Sequence, residues 1–181
     1  MDDIVKQAML KWPNVADCYG WLGLDARGRW FLRDITTQTC GMFPHSKGSL
    51  LQHEKLQGFI GRNYEVDARG CWFFQNGPQR VYVELEDTPL VWRLDQDGTV
   101  RAHTGVVAMP EHCLVDERGH VYLVAEAVLG LVHTQDVMRM AAAIESGRWT
   151  PQAVASAELE AQYHFVRSPQ QLEMQASAAA A

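Results

Sequence analysis

Leu24-Asp25-Ala26-Arg27-Gly28-Arg29-Trp30 is answered by Val66-Asp67-Ala68-Arg69-Gly70-Cys71-Trp72 and by Val115-Asp116-Glu117-Arg118-Gly119-His120-Val121, with a looser copy at Leu94-Asp95-Gln96-Asp97-Gly98-Thr99-Val100. Each copy sets a polar turn ending in glycine between apolar or aromatic flanks. That is the pattern of a β-hairpin whose short loop closes in the left-handed conformation. The opening aspartate can accept hydrogen bonds from backbone groups in the turn. Glycine takes the positive φ that Trp or Val would adopt only under strain. An Asp–Arg pair invites a catalytic reading, but its recurrence between strand-like flanks makes turn formation the dominant one.

Working outward, Cys18–Leu24 and Arg29–Arg33 read as the first hairpin, and Tyr64–Val66 leads through the second turn into Cys71–Phe74. Asn76-Gly77 is the strongest short hairpin signal in the chain. After it, Val81, Val83 and Leu85 share one strand face while Tyr82 and Glu84 share the other. Leu90–Leu94 pairs with Thr99–His103, and Cys113–Val115 with His120–Val124. Residues 2–12 gather Ile4, Val5, Ala8, Met9 and Trp12 on one helical face, stopped by Pro13. A second helix is predicted over 50–62 with Ser49 as its cap. A third runs from the cap Thr134 through Val137, Met140, Ala141 and Ile144, ending before Gly147. Residues 34–48 read as a loop, 151–164 as one more helix, and the end of the chain, QQLEMQASAAAA, as a frayed tail.

The copies at Asp25 and Asp116 are each followed by a linker and a helical stretch, offset by 91 residues at the hairpin and 81 at the helix start. The fold class is therefore α+β: tandem hairpin–loop–helix units around a mainly antiparallel sheet, in one body or in two small abutting subdomains. The divisions are 1–63 (N-terminal helix and first unit), 64–165 (central strands and second unit) and 166–181 (a flexible tail). The hairpin Asp25–Trp30, the stretch Leu50–Ile60 and the segment Arg80–Pro89, a strand ending in acidic residues, Thr88 and Pro89, resemble a bacterial domain family of unknown function. Its structures have two α+β halves with repeated motifs. The resemblance spans roughly residues 20–146 and implies a role in signal transduction, with no catalytic set to carry over.

At 181 residues and 47% hydrophobic the chain can bury a core. A net charge of −6 argues against a nucleic-acid partner bound through its phosphates. No apolar run reaches the length of a spanning helix, so no membrane partner is expected. The N-terminus lacks the basic and apolar regions of a signal peptide, so the expected location is the cytoplasm. Cys18, Cys40, Cys71 and Cys113 form no CxxC pair and read as buried thiols.

No HExxH, GxSxG, phosphate-loop or dinucleotide motif occurs, and no metal or cofactor is expected. The densest chemistry is Trp72, Phe74, Asn76, Arg80, Tyr82 and Asp87, a candidate ligand site. Aromatic faces would contribute burial, and Arg80 directional bonds to a small organic anion or a protein partner, a second copy included. The alternative is that these aromatics simply cover the helices at 50–62 or 137–145. The leading function is thus a ligand-binding or protein-interaction module, regulatory or signalling. The competing one is a small hydrolase or isomerase using dispersed histidines and acids: His103, His112 and His120 with Glu111, Cys40 with His45, or the carboxylates Glu84, Glu86 and Asp87.

Overall fold

In a computed structural model that describes residues 1–179, all four copies of the phrase are hairpin turns. Gly28, Gly70, Gly98 and Gly119 take φ of 73°, 81°, 84° and 81°. The aspartates hold the turns closed: Asp67 Oδ1 accepts from the N–H groups of Arg69 and Cys71 at 2.9 Å each, and Asp116 Oδ1 from Arg118 at 2.9 Å and His120 at 2.8 Å. In the looser copy the acceptor is Asp97, which takes Thr99 N–H at 2.9 Å.

The chain folds into two compact units. The first comprises residues 1–25, 29–86 and the described residues from Val166 onward. It contains α1 (Asp3–Lys11), β1 (Cys18–Leu24), β2 (Trp30–Leu32), α2 (Ile35–Cys40), β3 (Ser49–Leu50), α3 (Glu54–Arg62), β4 (Tyr64–Val66), β5 (Trp72–Asn76) and β6 (Gln79–Leu85). Its sheet has the order β3-β2-β1-β6-β5-β4, antiparallel except for β1 with β6. The second unit, residues 26–28 and 87–165, contains β7 (Leu90–Leu94), β8 (Val100–Ala102), β9 (Val107–Ala108), β10 (His112–Asp116), β11 (Val121–Ala125), β12 (Val128–Val132), α4 (Val137–Glu145), β13 (Pro151–Val154) and α5 (Leu159–Gln162). Its sheet runs β13-β10-β11-β12-β7-β8-β9, with β7–β12 and β10–β13 parallel. Helix α6 (Pro169–Ala179) returns to the first unit. The fold is α+β, built from repeated strand–loop–helix units in two mainly antiparallel sheets.

The two sheets are copies of one plan. Leaving β13 aside, the order β4-β5-β6-β1-β2-β3 of the first unit is the order β10-β11-β12-β7-β8-β9 of the second. The registers of β1–β2, β4–β5 and β5–β6 agree residue by residue with those of β7–β8, β10–β11 and β11–β12. Leu24 opposite Trp30 becomes Leu94 opposite Val100, an offset of 70. Val66 opposite Trp72 becomes Val115 opposite Val121, and Phe73 opposite Tyr82 becomes Tyr122 opposite Leu131, both at an offset of 49. The two offsets together convert the parallel pair Leu22–Val83 into Trp92–Val132. The repeat therefore matches Asp25 with Asp95 and Asp67 with Asp116, and the matching of Asp25 with Asp116 is corrected. The first unit carries α2 and α3 between β2 and β4, which shifts the spacing between its turns.

Several local expectations also change. Ser49 and Leu50 pair with β2 as strand β3, so α3 starts later and is capped by His53, whose Nδ1 accepts Leu56 N–H at 3.2 Å. Residues 34–48 include α2, capped by Asp34 accepting Thr37 N–H at 2.8 Å. Pro151, expected inside a helix, begins edge strand β13, where a missing N–H is tolerated. Thr134 lies inside a 3-10 turn that leads into α4; that turn is capped by His133, whose Nδ1 accepts Gln135 N–H at 3.1 Å, and the N-cap of α4 is Asp136. Only Val5 of α1 is buried. The expected division at 63/64 falls between α3 and β4, while the compact units divide at 86/87. Of the stretch expected as a tail, the described residues form α6, held where the buried Glu84 carboxylate accepts Ser168 Oγ at 2.5 Å and Gln170 N–H at 3.0 Å, and residues 180 and 181 lie outside the described residues.

Candidate functional site

Strand parity in the first unit sends Leu22, Phe74 and Val81 to the face covered by α3, together with Trp30, Tyr64 and Trp72. Helix α3 meets this face through Phe59, edge-on to Phe74 at 5.5 Å between ring centres. Tyr64 sits 4.7 Å from Trp72 and 5.3 Å from Trp30, so the aromatics close one end of the layer. The other end is open. There Leu22, Leu32, Phe74 and Val81 of the sheet and Leu56 and Ile60 of α3 line a cavity of about 430 Å³. A largely apolar cavity of this size with a few polar groups at its edge suits a small organic molecule.

The polar side chains at the cavity are mostly engaged elsewhere. Arg33, 1% exposed, donates Nε–H to Ser46 O at 3.0 Å, Nη1–H to Gly20 O at 2.9 Å and Nη2–H to Gly41 O at 2.7 Å. Its guanidinium cross-links three backbone segments; burial lowers its pKa, against the opposing pull of the Glu84 charge. Asp34 Oδ1 accepts both the N–H and the hydroxyl of Thr37, and these bonds hold its carboxyl below the usual range. Burial pushes the Cys18 thiol up. Asn76, exposed at the rim, offers an amide that can donate and accept.

The candidate ligand-site residues are distributed over both faces of this sheet. Trp72 and Phe74 are buried on the α3 side. Tyr82, on the opposite side, stacks on Tyr19 at 4.5 Å and donates its hydroxyl to Asp67 Oδ2 at 3.0 Å. Arg80 is exposed, its guanidinium 4.9 Å from the Phe73 ring centre. Asp87 belongs to the second unit. The structure brings Phe74 and Asn76 together at the cavity and separates them from Arg80. Leu22, Leu32, Leu56, Ile60 and Val81 were not singled out as site residues. Leu56 and Ile60, one helical turn apart on the α3 stripe, and the alternation at Val81 were the available signals.

Arg80 lines a second groove of about 530 Å³ between α1 and the β5–β6 hairpin, with Lys6, Met9, Leu10, Trp12 and Pro78. Gln75, also in that lining, is 1% exposed. It donates Nε2–H to Gly77 O at 2.9 Å, while its buried Oε1 receives no hydrogen bond from the described residues.

Four of the seven histidines serve turns, caps or strand ends. His53, His103 and His133 use Nδ1 to accept backbone N–H groups. His120 Nδ1 lies 3.3 Å from Asp116 Oδ2, but that carboxylate already accepts from two backbone N–H groups, Arg118 and the Tyr122 hydroxyl. Burial raises the Cys71 and Cys113 thiols to about 11. Among the described residues no group of three His, Cys, Asp or Glu side chains could hold a metal ion, so His103, His112, His120 and Glu111 do not converge on one. No helix among the described residues is long and apolar enough to cross a membrane.

The chain belongs to the family described as "Protein of unknown function (DUF2946)", which it matches over residues 1–170. Nothing among the curated proteins matches it. It is similar to the crystal structure of a DUF1285 family protein from Silicibacter pomeroyi DSS-3, with 13% identity, a TM-score of 0.47 and 68% of each chain covered. It is also similar to that of a DUF1285 family protein from Shewanella baltica OS155, with 16% identity, a TM-score of 0.45, 68% of this chain and 91% of that one. The resemblance read from the sequence, to an uncharacterised bacterial domain family with two α+β halves, is borne out.

Proposed function

We propose that this member of the family is a small-ligand-binding module whose ligand enters the cavity beneath α3. The carrying observation is the cavity of about 430 Å³ between Leu56 and Ile60 of the helix and Leu22, Leu32, Phe74 and Val81 of the sheet. Apolar walls reward burial of a ligand at about 25 cal/mol per Å² of surface removed from water, before the costs of association. Asn76 at the rim would orient one polar group. A thermal-shift series with small neutral organic compounds, aromatic and aliphatic, tests the reading. At least one class should raise the melting temperature, and Leu56→Trp, which fills the space from the helix side, should cancel the rise. No shift across both classes would remove the proposal.

A second reading is favoured by the α1 groove. Lys6 on α1, paired with Asp3 at 3.1 Å, and Arg80 on β6 supply positive charge beside apolar walls, Asp17 adds a carboxylate to the lining, and the buried Gln75 Oε1 lacks a donor among the described residues. A small organic anion carrying an N–H or O–H group would meet Lys6, Arg80 and Gln75. Helix α1 buries one side chain, Val5, and is held at its N-terminus by Asp2 against Asn63 and Arg62, so an anion bridging Lys6 to Arg80 would add a tie to the sheet. That is a simple route to a regulatory response. Calorimetry with anthranilate, a carboxylate with an adjacent N–H donor, is the test. Arg80→Ala should weaken binding without loss of fold, and unchanged binding would exclude the role.

A further inference from the structure

The internal repeat specifies what kind of molecule the α3 cavity is shaped for. The offsets of 70 and 49 residues convert its sheet lining, Leu22, Leu32, Phe74, Asn76 and Val81, into Trp92, Ala102, Leu123, Ala125 and Gly130 of the second unit. In the second unit a buried indole occupies the corresponding space. Trp92 is 2% exposed and packs with Ala102, Leu123, Ala125 and Met140 of α4. Its Nε1–H donates to Leu123 O at 2.8 Å. Gly130 lies directly under the ring, and a Cβ there would run into the indole nitrogen. A flat aromatic ring between sheet and helix is thus the arrangement this fold adopts when the chain fills the space itself.

The first unit keeps the sheet, the register and a covering helix, but places Leu22 where the second unit has Trp92. The larger Leu32, Phe74 and Val81 thicken the walls, and Trp21, 44% exposed, also lines the space. An opening remains between sheet and helix. We infer that the α3 cavity takes a planar aromatic or heteroaromatic molecule of one or two rings, seated as Trp92 is seated in the second unit. The inference rests on the binding reading above and adds the ligand's chemical class. Flat rings lose little conformational freedom on binding and fill a slot between two layers, whereas a flexible chain must be ordered to do so.

The test is calorimetry on the full chain with indole and with 1-hexanol, a flexible aliphatic probe. Indole should bind saturably and at least tenfold more tightly than hexanol. The double variant Leu22→Trp/Val81→Gly, which reproduces the Trp92–Gly130 arrangement, should lose indole binding while keeping its far-ultraviolet circular dichroism. If that variant fails to fold, Leu32→Trp replaces it, because Leu32 is 45% exposed and can carry a larger ring. Hexanol binding as tightly as indole would overturn the aromatic class and leave the cavity reading standing. Binding of neither would remove both. Undiminished indole binding in a folded, filled variant would place the ligand elsewhere and overturn the inference.

Discussion

Replacing Asp116 by alanine should cost far more than its place in a hairpin turn would suggest. The carboxylate, fully buried in its side chain, accepts Arg118 N–H at 2.9 Å, His120 N–H at 2.8 Å and the buried Tyr122 hydroxyl at 3.0 Å. The Arg118 guanidinium is half exposed and adds at most about 1 kcal/mol as a surface pair. Two charge-assisted backbone bonds and a stranded tyrosine hydroxyl bring the expected loss to about 4 kcal/mol. Asp97 closes the looser turn through exposed bonds to the Thr99 N–H and side chain, so Asp97→Ala should cost about 0.5–1 kcal/mol. Urea denaturation of both variants, followed through the second unit's transition, makes the comparison. The pH dependence has a defined sign. Burial opposes ionisation of Asp116, but the His120 and Arg118 N–H groups and the Tyr122 hydroxyl outweigh it and lower the folded pKa. The stability it contributes is present above the unfolded value of 3.8 and is lost as pH falls through the lower folded value. A loss under about 1 kcal/mol for Asp116→Ala, equal to that for Asp97→Ala, would refute the view that buried aspartates anchor the repeated turns.

Two further outcomes are expected. At Gly119, φ is 81° and an added Cβ would meet nothing within 4 Å, so Gly119→Ala should cost about 1–2 kcal/mol from backbone strain alone, and Gly119→Asn less. Equal midpoints for Ala and Asn would contradict a purely conformational penalty. Burial raises the pKa of Glu84 despite its bonds from Ser168 and Gln170. A raised folded value means that its contribution is complete below the unfolded value and declines as pH rises through the folded one. Glu84→Gln should therefore gain on the native protein in thermal melts as pH rises above the unfolded value of 4.5; a difference that does not change with pH would show that Glu84 carries no such burden.

The turns were legible because their chemistry is local: an acceptor, a glycine and two apolar flanks within seven residues. Strand polarity was legible for the same reason at Val81–Leu85, where alternation names both faces. The matching of the halves was not. Helices α2 and α3, inserted in the first unit alone, separate the Asp25 and Asp67 turns by twice the spacing of Asp95 and Asp116. The 3-10 turn and α4 after Asp116 then imitated the helix that follows Asp25. Arg33 looked like the end of a strand, because its three carbonyl partners come from Gly20, Gly41 and Ser46 and leave no mark around it. The candidate ligand site read from the sequence mixed Trp72 and Phe74 with Tyr82, which the β5–β6 register places on opposite faces. The cavity depends on Leu22, Leu32 and Val81 meeting α3, a convergence of segments that no single stretch encodes.

The most direct measurement is a heteronuclear NMR titration of the full chain with indole. Saturable shifts should concentrate at Leu22, Leu32, Leu56, Ile60, Phe74 and Val81, while Trp92, Ala102, Leu123 and Gly130, already filled by the protein's own indole, stay unmoved. Shifts centred on Trp92 and its neighbours, or no saturable shifts in the first unit, would contradict the account.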